Sequence, residues 1–343
     1  MATMRTYITA FFMTVACACL VWVLLFYIVL GTPVSKSQWI HDAYRIKDEA
    51  AFAIAVPKVV LVSGSNIMFG VNSESLSAFW GKPVVNYGVH AGLGLAYSLE
   101  RSKQVLTAGD IAILPLEYEF FQEQNDYTET LLVQMASNDP DYYYALPLYE
   151  KLRVMGKMPW KRMRRGLQSV FRKESRQGSA DVDPDQDAGT YSVVNINAHG
   201  DQINLEAANM DARERQRLAR LKAVKLDNSG ISEYSREVLN DYLGWARAND
   251  VCLIVMPSSH VYFDAYRGPV YTEFLHNIKN YFYESGVPYI GDPYSYMYQK
   301  SYHFGDRYHL NNQGIEKRTA RIMQDTGNAV DALCESWQPA GTE

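Results

Sequence analysis

The stretch Val59-Val-Leu-Val-Ser-Gly-Ser-Asn-Ile-Met-Phe-Gly70 decides the predicted fold. Four apolar, mostly β-branched residues run directly into the polar turn Ser63-Gly-Ser-Asn66, after which the pattern becomes helical. Such a run predicts a buried strand that ends in a tight turn. In open α/β sheets, ligands and catalytic groups lie at the carboxyl ends of the strands, so Ser65 is a candidate nucleophile. On this stretch alone, the simpler interpretation of Ser65 as a helix N-cap is favoured.

Strands and helices alternate at short spacing along most of the chain. Further apolar runs predict strands at residues 84–89, 110–116, 251–256 and 287–290. This alternation predicts parallel βαβ units, and hence a three-layer α/β/α domain of the flavodoxin-like class with a five-stranded parallel sheet. The alternation breaks at residues 122–230, which are polar and irregular. We interpret that segment as an insertion or lid within one domain, residues 36–343.

Composition narrows the class of protein. The chain has 343 residues, of which 48% are hydrophobic, and a net charge of −5. It can therefore bury the core of one large domain, and its charge argues against a dedicated nucleic-acid binder. Of the four cysteines, only Cys252 and Cys334 lie in the domain, and their spacing predicts neither a disulfide framework nor a zinc site. No phosphate-binding or dinucleotide-binding motif is present, so we predict no cofactor and no metal.

Residues 1–35 are typical of a membrane anchor. No charged residue occurs between positions 6 and 35, and about 20 apolar residues suffice to span a bilayer core. We therefore predict a single uncleaved transmembrane helix. A cleaved signal peptide is the alternative, but its apolar region would be shorter. The charges that flank the helix do not decide its orientation.

Residues 160–176 predict a basic amphipathic helix within the insertion. Apolar side chains recur every three to four residues between seven Lys and Arg side chains. Such a helix can lie on anionic lipid headgroups or bind an acidic polymer or partner. A solvated helix that caps the domain explains the same pattern, and the sequence leaves these alternatives open.

The second candidate motif of the site, after Ser65, is the pair Asp306 and His309. An Asp three residues before a His can orient one imidazole nitrogen and leave the other free to accept a proton from a serine. The pair precedes the last predicted helix, residues 312–334, so its loop can fall at the same sheet edge as Ser65. This placement reverses the preference, and Ser65 becomes the predicted nucleophile.

These motifs resemble those of the SGNH/GDSL hydrolase superfamily. The turn Ser63-Gly-Ser-Asn66 matches the serine motif after the first strand, and Asn86-Tyr-Gly88 matches the Asn-x-Gly motif after the second. Asp306 and His309 match the Asp-x-x-His motif before the final helix. The resemblance implies that Ser65, Asp306 and His309 are catalytic. It also implies an oxyanion hole formed by the backbone amides of Ser65 and Gly88.

The chain departs from the family pattern after the third strand. The family has Gly-x-Asn-Asp there, whereas residues 115–119 read Pro-Leu-Glu-Tyr-Glu. Loss of an oxyanion donor costs roughly 10²–10³-fold in rate, so activity depends on a replacement, for which Asn66 is the candidate. Glu117 is expected to bind substrate hydroxyls or an arginine of the lid. A structural role for Glu117, paired with a nearby base, is the alternative.

The anchor together with these motifs resembles extracytoplasmic SGNH proteins of the D-alanyl transfer and alginate acetylation type. This resemblance implies a serine O-acyl esterase or O-acetyltransferase that acts on a cell-surface or secreted polysaccharide through an acyl-serine intermediate. It implies an inner-membrane protein whose domain lies in the periplasm, with a membrane-bound O-acyltransferase as a partner. The alternatives are a non-catalytic polymer-binding or scaffolding subunit of an acylation or secretion complex, and a hydrolase of lipids or small esters.

Overall fold

The computed structural model describes residues 2–172, 191–226, 230–335 and 337, which form two compact units. Unit 1 comprises residues 2–41 and 127–172, and unit 2 comprises the other described residues. The predicted insertion is thereby divided, because residues 127–172 belong to unit 1 and residues 191–226 to unit 2. The helices are α1 Ala2–Val29, α2 Ser35–Phe52, α3 Ser65–Met68, α4 Ser73–Trp80, α5 Leu95–Lys103, α6 Glu129–Ser137, α7 Pro140–Ala145, α8 Leu148–Lys157, α9 Trp160–Arg172, α10 Ala212–Arg220, α11 Glu233–Ala248, α12 Pro269–Glu284 and α13 Asn312–Thr326.

Unit 2 is built on a parallel sheet of buried strands. Its four strands are β1 Val59–Leu61, β2 Val84–Asn86, β3 Ile111–Leu114 and β4 Cys252–Val255, in the order β2-β1-β3-β4. Every residue of these strands is buried, as expected for apolar runs in a parallel sheet. The predicted α/β class with parallel strands is confirmed.

The predicted five-stranded sheet is not confirmed. Residues 287–290 approach β4 through a single bridge between Val255 and Tyr289, flanked by hydrogen bonds from Val255 N to Pro288 O and from Ile290 N to Val255 O. Pro288 has no N–H to donate to a longer ladder. A separate two-stranded parallel sheet pairs β5 His260–Val261 with β6 Met297–Tyr298.

Local signals explain where the helices beside the site begin and end. The side chain of Asn72 accepts a hydrogen bond from Ser75 N and caps α4, and Asn311 caps α13 in the same way through Gly314 N. The last helix was predicted to reach residue 334 but ends at Thr326, where Gly327 adopts a positive φ of 65°.

In unit 1, one helix is long and apolar enough to cross a membrane, Met4–Val29. Near the carboxyl end of this helix, the ring of Trp22 stacks on that of Trp160, with 6.1 Å between centroids. The Nε1 of Trp22 donates a hydrogen bond to Met155 O. Helix α9 thus packs against α1, while the predicted continuation of α9 to residue 176 lies outside the described residues.

Arg162 of α9 is buried and fastens the carboxyl ends of two helices in unit 1. Its guanidinium donates to the carbonyl oxygens of Val29, Thr32 and Ala136 and to the hydroxyl of Ser137. Helices α1 and α6 end at these residues, so the arginine satisfies carbonyls that have no partner within a helix.

One disulfide joins Cys252 of β4 to Cys334, which follows it by 82 residues. The expectation that the domain cysteines carry no disulfide was therefore wrong. The bond ties the segment after α13 to β4, the last strand in the order of the four-stranded sheet.

Candidate active site

Ser65 and His309 meet at the carboxyl end of β1. The imidazole Nε2 of His309 lies 2.9 Å from the Ser65 Oγ. From position 58 to 71 every residue is buried except Ser65, which is half-buried. The hydrogen bond from Leu310 N to Phe69 O holds the histidine loop against the segment that follows the serine. The chain thus presents one accessible hydroxyl, in contact with a ring nitrogen, on a buried frame.

His309 is held in the neutral form. Its ring stacks on Phe69 with 4.1 Å between centroids and 11° between planes. Burial lowers the pKa of His309 to about 4, although the carboxylate of Asp306 acts in the opposite direction. A neutral imidazole at pH 7 has a lone pair for the serine proton, as a general base requires.

Asp306 interacts electrostatically with His309. Burial acts to raise the pKa of Asp306, but the interactions with His309 and Arg217, together with hydrogen bonds from the backbone of Tyr308 and Arg307, hold that pKa below its ordinary value. The carboxylate also accepts a hydrogen bond of 3.3 Å from Tyr308 N. Asp306 is therefore an anion near the ring, and the structure brings Ser65 and His309 into contact while Asp306 acts on His309 through its charge.

Glu117 lies beneath the serine turn. It is 1% exposed, and its Oε2 is 2.8 Å from Ser63 Oγ and accepts from Gly64 N, while its Oε1 accepts from Asn66 N. All of these contacts fix the turn from below. The carboxylate holds the backbone that carries Ser65, which favours the structural interpretation over contact with substrate hydroxyls.

Asn66 is also engaged in this buried network. Its Nδ2 donates to Ser63 Oγ at 2.6 Å and to Pro115 O at 2.9 Å. Both hydrogens of the amide are thus used away from the Ser65 hydroxyl. In this arrangement the side chain does not offer the oxyanion donor for which it was the candidate.

Arg318 of α13 completes the network and was not predicted from the sequence. Its guanidinium is completely buried and donates to Asn66 O at 2.8 Å, Asn66 Oδ1 at 3.0 Å and Ser259 Oγ at 3.0 Å. Burial lowers the pKa of Arg318, and neighbouring groups that include Glu117 oppose this effect. The final helix therefore braces the serine turn and also follows the histidine loop.

Gly64 and Gly88 are required by close approach. A Cβ atom on Gly88 would lie 2.4 Å from Gly64 O and 2.2 Å from Ile67 Cγ2, and one on Gly64 would lie 2.5 Å from Glu117 Oε1. The end of β2 is thus packed directly against the serine turn. The N–H of Gly88 donates to Asn86 Oδ1 at 3.2 Å, so it must leave that acceptor to bind an oxyanion.

A second buried polar network fixes Asn86. Its Nδ2 donates to Ile67 O and to Asp201 Oδ1, both at 2.8 Å. Lys47 donates to Asn86 O at 2.9 Å and also to Gly200 O. Burial lowers the pKa of Lys47 to about 7, and Asp201 opposes this effect. Neither Lys47 nor Asp201 was predicted to contact Asn86, because they lie 39 and 115 residues from it in the sequence.

Segment 191–226 contributes to the surroundings of His309. The ring of Tyr191 meets the imidazole edge-on at 6.2 Å, and the charge of Arg217 acts on both His309 and Asp306. His90 also acts on His309 electrostatically. In the described part of the chain, no group of three or more His, Cys, Asp or Glu side chains is placed to hold a metal ion.

Comparison with known proteins does not name a family for this arrangement. No family model matches the chain, and no curated protein sequence matches it.

Proposed function

We propose that this protein is a membrane-anchored serine esterase or O-acyltransferase of the SGNH type, acting on acyl groups of a cell-surface or secreted polysaccharide. The observation that carries the proposal is the 2.9 Å contact between Ser65 Oγ and a neutral His309, on a turn where Ser65 alone is accessible. A serine that forms such a contact can attack an ester carbonyl.

The proposed mechanism uses the groups in their observed positions. His309, beside the anionic Asp306, takes the proton of Ser65 as the hydroxyl attacks the ester carbon. The N–H of Ser65 lies at the first position of α3, where no intrahelical acceptor exists, and is one oxyanion donor. The ester C–O bond then breaks, and His309 returns the proton to the departing alcohol oxygen, which leaves the acyl group on Ser65. In the second half of the reaction His309 takes a proton from water or from a sugar hydroxyl, whose oxygen attacks the acyl-serine and releases Ser65 Oγ, to which His309 returns the proton.

The proposed location is the extracytoplasmic side of the membrane. One helix is long and apolar enough for a single-pass anchor. The disulfide between Cys252 and Cys334 supports an oxidising compartment, because disulfides are rare in the cytosol. A membrane-bound O-acyltransferase is the proposed partner if the acyl group comes from inside the cell.

Labelling by a fluorophosphonate probe tests the catalytic step. The full-length protein in detergent is expected to react with the probe at Ser65 and to turn over p-nitrophenyl acetate. Ser65→Ala should lose both, whereas the exposed Ser301→Ala should keep both. Reaction that persists in Ser65→Ala would remove Ser65 from the mechanism.

A non-catalytic polymer-binding subunit is the second candidate. Two of the predicted oxyanion donors favour this function. The Gly88 N–H and both amide hydrogens of Asn66 already have protein acceptors, so they are not free to stabilise an oxyanion. The two functions differ in cells, because polymer acylation should survive Ser65→Ala only if the protein acts without chemistry.

A further inference from the structure

A cationic groove lies beside the histidine loop in unit 2. Its volume is about 760 Å³. One carboxylate and five cationic side chains line it, namely Glu119, Arg217, Arg220, Lys222, Lys225 and Arg307. The chain as a whole carries a net charge of −5, so the groove reverses the sign of the protein locally. Charge of one sign in a cleft concentrates ligands of the opposite sign.

The wall of the groove is fixed through its backbone. Lys300 donates to Ala219 O at 3.1 Å and to Leu221 O at 3.0 Å, and Val224 N donates to the Tyr266 hydroxyl at 3.0 Å. These contacts hold segment 219–224 against the rest of unit 2. The cationic side chains therefore project from an ordered surface.

Three of these cations are available to a ligand. Arg220, Lys222 and Lys225 are exposed, and within the described ranges none of them forms a salt bridge with a carboxylate. Arg220 ends α10, and Lys222 and Lys225 follow on the non-helical segment after it, so the three charges come from successive positions along one stretch of chain.

The groove adjoins the candidate catalytic residues. Arg217 donates through Nε to Gly305 O, and its charge acts on Asp306 and His309. The Tyr308 hydroxyl, from the same loop, donates to Glu119, which also lines the groove. A ligand bound in the groove would thus lie next to the loop that carries His309.

We propose that this groove binds an anionic segment of the glycan substrate and delivers its acyl ester to Ser65. The inference rests on the proposed function for the glycan, and on the cations at successive positions for its charge. Guanidinium groups bind carboxylate and phosphate oxygens in a planar, two-pronged geometry, so uronate carboxylates and phosphodiesters share the required chemistry. Cations at successive positions favour a polymer with repeated anionic groups over a single small anion.

Binding to the full-length Ser65→Ala protein in detergent tests the groove without chemistry. Polygalacturonate supplies carboxylates, polyphosphate supplies phosphates, and dextran is the uncharged control. We expect one of the two polyanions to bind, with affinity that falls as sodium chloride rises from about 0.05 to 0.5 M. The polyanion that binds more tightly identifies the anionic group. Binding of neither, or binding of dextran equally well, would overturn the proposal.

Two double variants locate the binding. Arg220→Ser with Lys225→Ser should weaken polyanion binding about tenfold, since each exposed ion pair contributes up to about fivefold in affinity and two are lost together. Arg236→Ser with Lys279→Ser removes the same charges from exposed positions on α11 and α12 and should leave affinity unchanged. Equal loss in the two pairs, at unchanged melting temperatures, would show that net charge alone attracts the polymer and would refute the groove.

The two proposals can fail separately. If wild-type Ser65 reacts with the fluorophosphonate but no groove-dependent binding occurs, the serine chemistry stands and the groove assignment is wrong. If the groove binds polyanions but Ser65 is inert, the groove belongs to a polymer-binding subunit.

Discussion

Each of the two units contains a buried arginine that donates to backbone oxygens, and the two arginines stabilise different kinds of structure. Arg162 in unit 1 binds oxygens at the carboxyl ends of α1 and α6. Arg318 in unit 2 binds both oxygens of Asn66, one residue from the candidate nucleophile. The first arginine binds the carboxyl ends of helices, and the second fixes the turn that carries Ser65.

Their electrostatic surroundings differ accordingly. Burial alone lowers the pKa of Arg162, to about 10. Burial also lowers the pKa of Arg318, but tyrosines and Glu117 oppose it. At the carboxyl end of a helix, the partial negative charge of the backbone carbonyl groups stabilises a cation without a carboxylate. At the serine turn, Glu117 accepts hydrogen bonds from backbone N–H groups and Arg318 donates hydrogen bonds to the oxygens of Asn66. Donors and acceptors of the turn are thus both paired.

Substitution of Arg318 should have the largest effect. Arg318→Met removes three hydrogen bonds and leaves Glu117 buried without this nearby cation, which we expect to cost about 3–5 kcal/mol of stability. The melting temperature and the fluorophosphonate labelling rate of Ser65 should both fall. Arg321→Met, at a partly exposed position on the same helix, is the matched control. Unchanged labelling in Arg318→Met would contradict its role beneath the turn.

Substitution of Arg162 should separate the two arginines. Arg162→Met leaves four oxygen atoms of unit 1 without this donor and should cost about 2–4 kcal/mol, seen as a lower melting temperature. Below the melting temperature, labelling of Ser65 should keep its wild-type rate. Its exposed neighbour Lys161→Met serves as the control. If the labelling rate of Ser65 also fell in Arg162→Met, the two arginines would not have different roles.

Lys47 extends the comparison to a buried cation that titrates. Between pH 7 and 10.5 the unfolded chain binds a proton that the folded chain has released, so this group makes stability rise with pH. The slope should reach at most about 1.4 kcal/mol per pH unit. Melting temperatures at pH 7.5 and 9.5 should show the rise in the wild type and a smaller one in Lys47→Met. The same rise in both proteins would exclude Lys47 as its source.

The smallest effect concerns His309 in mildly acidic solution. Because burial lowers its pKa to about 4, the imidazole stays neutral at pH 5.5, and labelling of Ser65 should change little between pH 7 and pH 5.5. The rate should reach half its maximum near pH 4. A half-maximum near pH 6.5 would mean that the ring is solvated and that the burial argument fails.

Much of this architecture follows from local sequence signals. The run of β-branched residues after Pro57 produced β1, and the helix caps at Asn72 and Asn311 were simple local features. Ser65 and His309 could be predicted because each belongs to a short motif at the end of a regular element. The fifth strand was over-predicted, since the apolar content of residues 287–290 outweighed Pro288.

The missed residues act over long distances in sequence. Arg318 lies in a helix where a charged side chain predicts exposure, and its partner Asn66 is 252 residues away. Asp201 and Lys47 contact Asn86 from two polar stretches of the chain. Cys252 forms a disulfide with Cys334, 82 residues later. Glu117 was placed at the right strand end, but only the fold shows that its carboxylate faces the turn.

The contact between Ser65 and His309 joins residues 244 positions apart. During synthesis, Ser65 therefore leaves the ribosome long before His309 and before Arg318, which donates to the neighbouring Asn66. The contact between the Ser65 hydroxyl and the His309 imidazole can therefore form only after nearly the whole chain has been synthesised.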